Sequence, residues 1–315
     1  MRRILVPLDG STLSAAIIPD ARRLAGRDGE LILVQDVWRT RSDFEPGTHT
    51  TPLALDRAAE YLESIADRLR AEGVKVRTET LVIMDRARGI DDAARIFKVD
   101  MIACATHART GLSRMVRGSI AWDAMAHSPV PVLLRHPEQD GAEKRAEPDN
   151  RRILVPLDGS DYSEKALPLA AELAREWGHT GPAALYLTQV IPDLDIPDTP
   201  YQRFDMLPYD LHGQMVEAQT RLDALAAQLP GEPRTHVVAG DIVDNLMEDV
   251  GDWAITDIVL ASHGRSGLSR VIVGSVTDAL IQRLHCPIIV VPALVAEKID
   301  AVLPPAQEII ATAQR

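Results

Sequence analysis

An internal repeat is the feature that most constrains how this chain can fold. The ten residues from Arg2 to Ser11 recur unchanged as Arg151 to Ser160, 149 positions later. A second matching pair, Thr106 to Arg114 and Ser262 to Arg270, is offset by 156 positions. This period is far longer than the unit of a solenoid protein, so the sequence indicates that a whole domain is duplicated.

The two copies set the expected domain boundaries within the 315 residues. We predict a first domain over residues 1–138, a linker over 139–150, a second domain over 151–292 and a tail over 293–315. The linker is polar and carries no apolar period, which is typical of an exposed connection. Each copy is close to the roughly 150 residues of an ordinary domain and is long enough to build its own core.

Each copy alternates short apolar runs with longer segments of helical period. Runs without polar alternation are typical of strands buried on both faces in a parallel sheet. The sequence therefore predicts an α/β fold with two tandem doubly wound domains, each with a five-stranded parallel sheet of Rossmann-like type. The predicted strands are Ile4–Leu8, Leu31–Val34, Val74–Val82, Met101–Ala105 and Val130–Leu134, then Ile153–Leu157, Ala184–Leu187, Thr235–Val238, Ile258–Ala261 and Ile288–Val291.

The first copy also shows helical periods. The predicted helices are Thr12–Gly26, Leu53–Glu72, Gly89–Lys98 and Ser119–His127. Each first helix carries a proline, Pro19 or Pro168, that we expect either to kink the helix or to mark its true start.

Composition excludes several classes of protein. The formal net charge is −12, with 12 Lys and Arg against 23 Asp and Glu in residues 150–315, which disfavours nucleic-acid binding. No uninterrupted apolar run reaches the roughly 18 residues of a membrane span, and the start lacks a secretory pattern, so we expect no membrane partner and a cytoplasmic location. Cys104 and Cys286 lie in apolar runs and are expected to be buried free thiols.

An aspartate stands directly before Gly-Ser at the end of the first predicted strand of both copies, as Asp9 and Asp158. Ligands of doubly wound sheets bind at the carboxyl ends of the strands, where the strand order reverses. A carboxylate there can accept a hydrogen bond from a sugar hydroxyl or help to hold Mg²⁺. The alternative is a cap for the following helix, a role that Ser11 or Ser160 also fits.

The fourth predicted strand of the second copy runs into a glycine-containing loop. Glycine lets bare backbone N–H groups approach a phosphate, and the Gly-Ser that opens the last helix adds unpaired N–H donors. Basic side chains in the same loop add positive charge. We therefore predict an anion-binding loop beside Asp158, made of His263, Gly264, Arg265, Gly267 and Arg270 with Gly274 and Ser275.

Other motifs for phosphate or metal chemistry are missing from the sequence. It contains neither Gly-x-x-x-x-Gly-Lys-Ser/Thr nor Gly-x-Gly-x-x-Gly. The nine histidines show no clustered metal spacing, so we predict no dedicated metal site.

The repeated Ile-Leu-Val-Pro-Leu-Asp-Gly-Ser start and the Ser-His-Gly-Arg-Ser-Gly-Leu-Ser-Arg loop resemble the universal stress protein family in its tandem-domain form. The resemblance covers roughly residues 1–135 and 151–292. It implies an adenine nucleotide alpha hydrolase-like fold and, for the ATP-binding branch, the pattern Gly-x-x-Gly, nine residues, then Gly-Ser or Gly-Thr. The second copy has Ala261 for the first glycine of that pattern, and the first copy has Ala105 and Ala108 for both.

What the resemblance implies about the site is carried over position by position. Asp9 and Asp158 are expected at the ribose-phosphate end of ATP, and the backbone near Asp36 and Val190, after the second strand, at the adenine edge. The expected nucleotide-binding set is Asp158, Val190, Ala261, His263, Gly264, Arg265, Gly267, Arg270, Gly274, Ser275 and Val276 in the second copy, and Asp9, Asp36, Ala105, Ala108, Arg109, Gly111, Gly118 and Ser119 in the first.

The anion-binding loop and the family resemblance together imply an ATP-binding regulator or sensor of the stress response, with Mg²⁺ as a candidate companion of the nucleotide. The expected affinity is higher in the second copy, because Gly264 replaces Ala108 there. Two alternatives stay open: a slow ATP hydrolase of the adenine nucleotide alpha hydrolase type, and a scaffold that has lost nucleotide binding in the first domain. We find no paired base and nucleophile in the sequence, so no catalytic residue is assigned.

The last strand of each predicted sheet, Val130–Leu134 or Ile288–Val291, leaves an open row of backbone groups. In a duplicated chain the two copies can pair with each other along these strands. The resemblance points to the same intrachain pairing and also to a homodimer.

Overall fold

Short buried strands alternate with helices along the chain. The computed structural model describes residues 2–38, 50–83, 86–106, 128–136, 150–178, 183–192, 210–262, 274–293 and 295–296. The strands in these ranges are β1 Arg3–Leu8, β2 Glu30–Trp38, β3 Lys75–Ile83, β4 Met101–Ala105, β5 Val132–Arg135, β6 Arg152–Leu157, β7 Ala184–Pro192, β8 Arg234–Gly240, β9 Asp257–Ala261 and β10 Ile288–Val291.

The helices follow the same alternation. They are α1 Thr12–Ala15, α2 Ile18–Ala25, α3 Thr50–Ala71, α4 Arg86–Ile96, α5 Leu167–Trp177, α6 Leu211–Ala226, α7 Ile242–Asp252 and α8 Ser275–Arg283, with a 3₁₀ turn over Ser163–Ala166 before α5. The predicted helix Ser119–His127, the linker over 139–149 and most of the tail lie outside the described residues. Within the described part, no helix is both long and apolar enough to cross a membrane.

The chain forms two compact units. Unit 1 contains residues 1–142, 268–273 and 287–315, and unit 2 contains residues 143–267 and 274–286. Unit 1 has the strand order β3-β2-β1-β4-β5, with all these pairs parallel. It also includes β10, which pairs antiparallel with β5. Unit 2 has the order β8-β7-β6-β9, again with parallel pairs.

Both units share one register at the point where the strand order reverses. In unit 1, β1 lies between β2 and β4, and Ile4 pairs with Met101. In unit 2, β6 lies between β7 and β9, and Ile153 pairs with Asp257. Crossovers therefore leave in opposite directions from β1 and from β6, which makes each unit doubly wound. The crevice that this topology creates lies at the carboxyl ends of β1 and β4 and of β6 and β9.

The interior of each unit follows from the apolar runs. Ile4, Leu5 and Val6 of β1 have no exposed surface, and neither do Ile153, Leu154 and Val155 of β6. Burial on both faces is what a parallel sheet between helices requires.

The predicted helix Thr12–Gly26 is not continuous. The chain forms the single turn α1 and then restarts as α2, with Pro19 in the first turn. Unit 2 repeats this with the 3₁₀ turn followed by α5, which carries Pro168 in its first turn. Proline has no backbone N–H to donate and is accommodated at a helix start, so the prolines mark true helix starts.

Candidate functional site

A closed ring of hydrogen bonds shapes the loop that follows β6. The Asp158 Oδ1 atom accepts from the Ser160 backbone N–H at 3.0 Å and from the Ser160 hydroxyl at 2.6 Å. The Ser160 Oγ accepts from the Ser163 N–H at 3.2 Å, and the Ser163 hydroxyl donates to the Ser160 carbonyl at 2.8 Å. Gly159 has φ +79°, which a side chain would disfavour. One carboxylate oxygen therefore braces the loop.

The loop after β1 has the same bonds in unit 1. The Asp9 Oδ1 atom accepts from the Ser11 N–H at 2.9 Å and from its hydroxyl at 2.6 Å, and Gly10 has φ +85°. The helix cap is Ser11, whose Oγ accepts from the Ser14 N–H at 3.0 Å. Asp9 therefore does not cap α1, and the capping interpretation of this aspartate is wrong.

Tyr61 of α3 lies beside the Asp9 loop. Its hydroxyl donates to the Ser11 carbonyl at 3.4 Å. Burial raises the pKa of Tyr61, and the negative charge of Asp9 raises it further, while a hydrogen bond with Ser14 opposes the shift. The phenol is therefore neutral and serves as a donor.

A cavity of about 280 Å³ opens in unit 2 at the carboxyl ends of β6 and β9. Apolar side chains form most of its wall, and Asp158 and several hydroxyl-bearing residues supply the polar part. The lining residues are Pro156, Leu157, Asp158, Ser163, Val190, Pro192, Ile242, Leu246, Leu260, Ala261, Ser262, Gly274, Ser275, Val276, Thr277 and Leu280. A ligand with one apolar, flat part and one anionic part matches this wall.

The first turn of α8 forms one side of this cavity. Gly274 is the N-cap residue, and no side chain caps the helix. The Gly274 N–H donates to the Ser262 carbonyl at 3.1 Å, and a Cβ on Gly274 would lie 3.4 Å from that oxygen. The first N–H groups of a helix lack carbonyl partners within it, and the dipole is positive at that end. This end of the cavity is therefore suited to an anion.

Six of the predicted second-copy residues line this cavity together: Asp158, Val190, Ala261, Gly274, Ser275 and Val276. The other predicted members, His263, Gly264, Arg265, Gly267 and Arg270, lie outside the described residues. The sequence reasoning missed the wall supplied by α7, Ile242 and Leu246. Their spacing of four residues, which places two side chains on one face of a helix, was an available signal.

Val190 and Asp36 lie inside strands, which corrects the expectation that they follow the second strand. Val190 pairs with Val238 and β7 continues to Pro192, which also lines the cavity. Asp36 pairs with Leu81 in β2. Both strands continue beyond their apolar runs because β2 pairs with β3 and β7 pairs with β8. These backbone hydrogen bonds do not depend on an apolar side chain.

In unit 1 the structure describes three of the predicted residues. Asp9 follows β1 and Ala105 ends β4, so both lie at the crevice, and Asp36 is the half-buried residue in β2. Ala108, Arg109, Gly111, Gly118 and Ser119 lie outside the described residues. Among the residues described, no group of three or more His, Cys, Asp or Glu side chains is placed to hold a metal ion.

Comparison with known proteins gives the family. The model of the universal stress protein family matches residues 1–136 and 149–292. The chain belongs to the universal stress protein family. A universal stress protein of Methanocaldococcus jannaschii is 27% identical over 141 residues, which cover 45% of this chain and 81% of that protein.

Solved structures of universal stress proteins share the fold. One from Archaeoglobus fulgidus matches with a TM-score of 0.66 and 18% identity, over 92% of this chain and 96% of that one. A universal stress protein in complex with cAMP matches with a TM-score of 0.36 and 18% identity, over 43% of this chain and 97% of that one.

Proposed function

We propose that this universal stress protein binds ATP in the cavity of unit 2 and acts as a nucleotide-dependent regulator or sensor in the stress response. The observation that carries the proposal is the position of the α8 N-terminus. The helix presents its first turn, without a side-chain cap, to a cavity whose lining is mostly apolar. A triphosphate fits the first feature, and a purine fits the second.

Asp158 supplies a carboxylate to the lining of the same cavity. Its Oδ1 atom is occupied by Ser160, so the loop holds the carboxylate in one orientation at the cavity. In that position it accepts from a ribose hydroxyl. A Mg²⁺ ion would need phosphate oxygens as its other ligands, because Asp158 is the single carboxylate among the described lining residues.

The same lining favours binding over fast turnover. Hydrolysis of ATP needs a group that activates water or a nucleophile. Among the described residues that line the cavity there is no His, Cys or Lys, and the hydroxyl of Ser163 is bonded to the Ser160 carbonyl. We therefore propose a binding protein with at most a weak ATPase activity.

The test is equilibrium binding of ATP to the wild-type protein and to the matched variants Asp158→Ala and Asp9→Ala. The site that survives in Asp9→Ala should bind ATP about tenfold more tightly than the site that survives in Asp158→Ala, a difference of about 1.4 kcal/mol. Asp158→Asn keeps an oxygen that can accept from Ser160, so it separates loss of the charge from loss of the loop.

Equal affinities in the two variants would contradict the assignment to unit 2. Release of AMP or pyrophosphate at about 1 s⁻¹ would favour the hydrolase alternative instead. Absence of binding in all variants would leave the scaffold alternative.

A further inference from the structure

Arg221 joins helix α6 to the loop that carries Asp158. The Arg221 Nε atom lies 2.7 Å from the Glu164 Oε1 atom, and its Nη2 atom lies 2.9 Å from the Asp161 Oδ1 atom. The Glu164 side chain is 12% exposed, whereas that of Asp161 is 86% exposed. Burial lowers the pKa of Arg221, but its bonds with the two carboxylates outweigh burial and raise it. The guanidinium is therefore charged and spans two points of the same segment.

The two partners of Arg221 flank the hydrogen bonds that close the loop. Asp161 follows Ser160, and Glu164 follows Ser163. The Ser160 and Ser163 amides are the donors that close the loop on Asp158 Oδ1 and on Ser160 Oγ. Because the Arg221 guanidinium holds the residue that follows each of these two serines, it restricts the motions that would break the hydrogen bonds of the loop.

In unit 1, a different type of side chain contacts the equivalent loop from the equivalent position of the helix. In α3, Glu63 accepts from Thr78, and in α6, Asp223 accepts from Thr235 at 2.6 Å. The two threonines occupy the same register, opposite Leu33 and Leu187. Counting back two residues from each acid places Tyr61 at the position of Arg221. Tyr61 contacts the carbonyl of Ser11.

We propose that Arg221 is a positioning residue for the nucleotide site, because it fixes the loop conformation that presents Asp158 to the cavity. This inference rests on the proposed function. Lysine cannot replace arginine fully here, since its single ammonium cannot span two carboxylates in a fixed fork. Preorganisation of this kind raises affinity by removing the free energy needed to order the loop on binding.

The experiment combines amide hydrogen exchange without nucleotide and ATP titration. The variants are Arg221→Met, which keeps an apolar stem, Arg221→Lys, and Arg221→Tyr, which copies unit 1. The matched control is Arg283→Met, because Arg283 also pairs with an aspartate, Asp244, at 3.0 Å on the surface of the same unit.

In Arg221→Met, the amide hydrogens of Ser160 and Ser163 should exchange faster with solvent than in the wild type. This variant should also bind ATP about fivefold more weakly. Arg221→Lys, whose ammonium can still pair with Glu164, should recover part of both effects. Arg221→Tyr should recover less, because unit 1 has Thr12 and Ala15 where unit 2 has the carboxylates Asp161 and Glu164. Arg283→Met should match the wild type. A role in stability alone would not produce this order of rescue together with exchange confined to the loop.

Unchanged amide exchange and unchanged ATP affinity in Arg221→Met would overturn the inference, as would an equal loss in Arg283→Met. Absence of ATP binding by the wild-type protein would instead overturn the proposed function. The exchange of the loop amides distinguishes these two failures.

Discussion

The two units bury their polar groups in different places around the same backbone. In unit 1 the Asp20 side chain, 8% exposed, pairs with Arg23 at 3.0 Å and with Arg135 at 2.6 Å. The residue at the position of Asp20 in unit 2, directly after Pro168, is Leu169. A carboxylate can occupy this position in unit 1 because two guanidinium groups compensate its burial.

Unit 2 has its own buried polar group on α7. Asp249, 4% exposed, accepts from the Thr188 hydroxyl at 2.8 Å and lies 3.0 Å from the His236 Nδ1 atom. The 156-residue offset of the repeat places Ala93 of α4 at the position of Asp249. The two repeats therefore bury polar groups at different positions, and each buried group has its own partners.

The loops after β1 and β6, in contrast, keep the same aspartate, glycine and two serines and the same hydrogen bonds among them. At the wall of the cavity the repeats diverge again, since Val190 of unit 2 corresponds to Asp36 of unit 1. The loop is thus common to both repeats, whereas the surface next to it is specific to each.

The largest expected effect comes from replacing the buried Asp20 of unit 1 with leucine, the residue that unit 2 has at this position. Asp20→Leu removes the carboxylate beside Arg23, whose side chain is 8% exposed, and should lower the free energy of unfolding by about 3–5 kcal/mol. Urea denaturation measures this loss. The control is Arg22→Leu on the same helix, which removes an exposed pair with Glu72 and should change the value by about 0.5 kcal/mol at most. Equal losses in the two variants would contradict the account.

An intermediate effect is expected at the cavity wall. In an Asp9→Ala background, Val190→Asp copies the unit 1 residue and should weaken ATP binding about tenfold, because a carboxylate must be desolvated when a base covers it. Val190→Asn isolates the charge and should lose less. ATP titration of both variants decides, and an unchanged affinity in Val190→Asp would show that this wall does not contact the ligand.

The smallest effect concerns Cys104, which corresponds to Leu260 of unit 2. Burial raises the pKa of the Cys104 thiol to about 12. The unfolded thiol ionises first, so the stability contributed by burial is complete below about pH 9 and is lost as the pH rises towards 12. At pH 8 the folded protein should not react with a thiol reagent at Cys104, whereas protein unfolded in urea should react. Rapid labelling of Cys104 in the folded chain would contradict its role as an apolar core residue.

Much of the fold could be predicted from the apolar runs. Met101–Ala105 and Ile288–Val291 have the same bounds in the sequence prediction and in the structure. Strands that continue beyond their apolar run were predicted too short: Ala184–Leu187 extends to Pro192. Gln189 and Val190 remain in the strand because β8 supplies backbone partners, a tertiary contact that a local pattern does not contain.

Site residues that belong to the repeated motifs could be predicted from the sequence, whereas those that reach the cavity only through tertiary packing could not. Asp158, Gly274 and Ser275 belong to motifs that recur in both copies, and the structure brings them to one cavity. Leu246 lies on an ordinary amphipathic helix, and only the packing of α7 against the sheet brings it to the cavity wall. Arg221 was missed because its partners lie about 60 residues away in sequence.

A crystal structure of the protein grown with MgATP would show whether the cavity of unit 2 is the nucleotide site. We predict density for one nucleotide in unit 2, with its base against Val190 and Leu246, its ribose at Asp158 and its phosphates at the first turn of α8. An empty cavity at saturating ATP, or a nucleotide bound elsewhere on the chain, would contradict it.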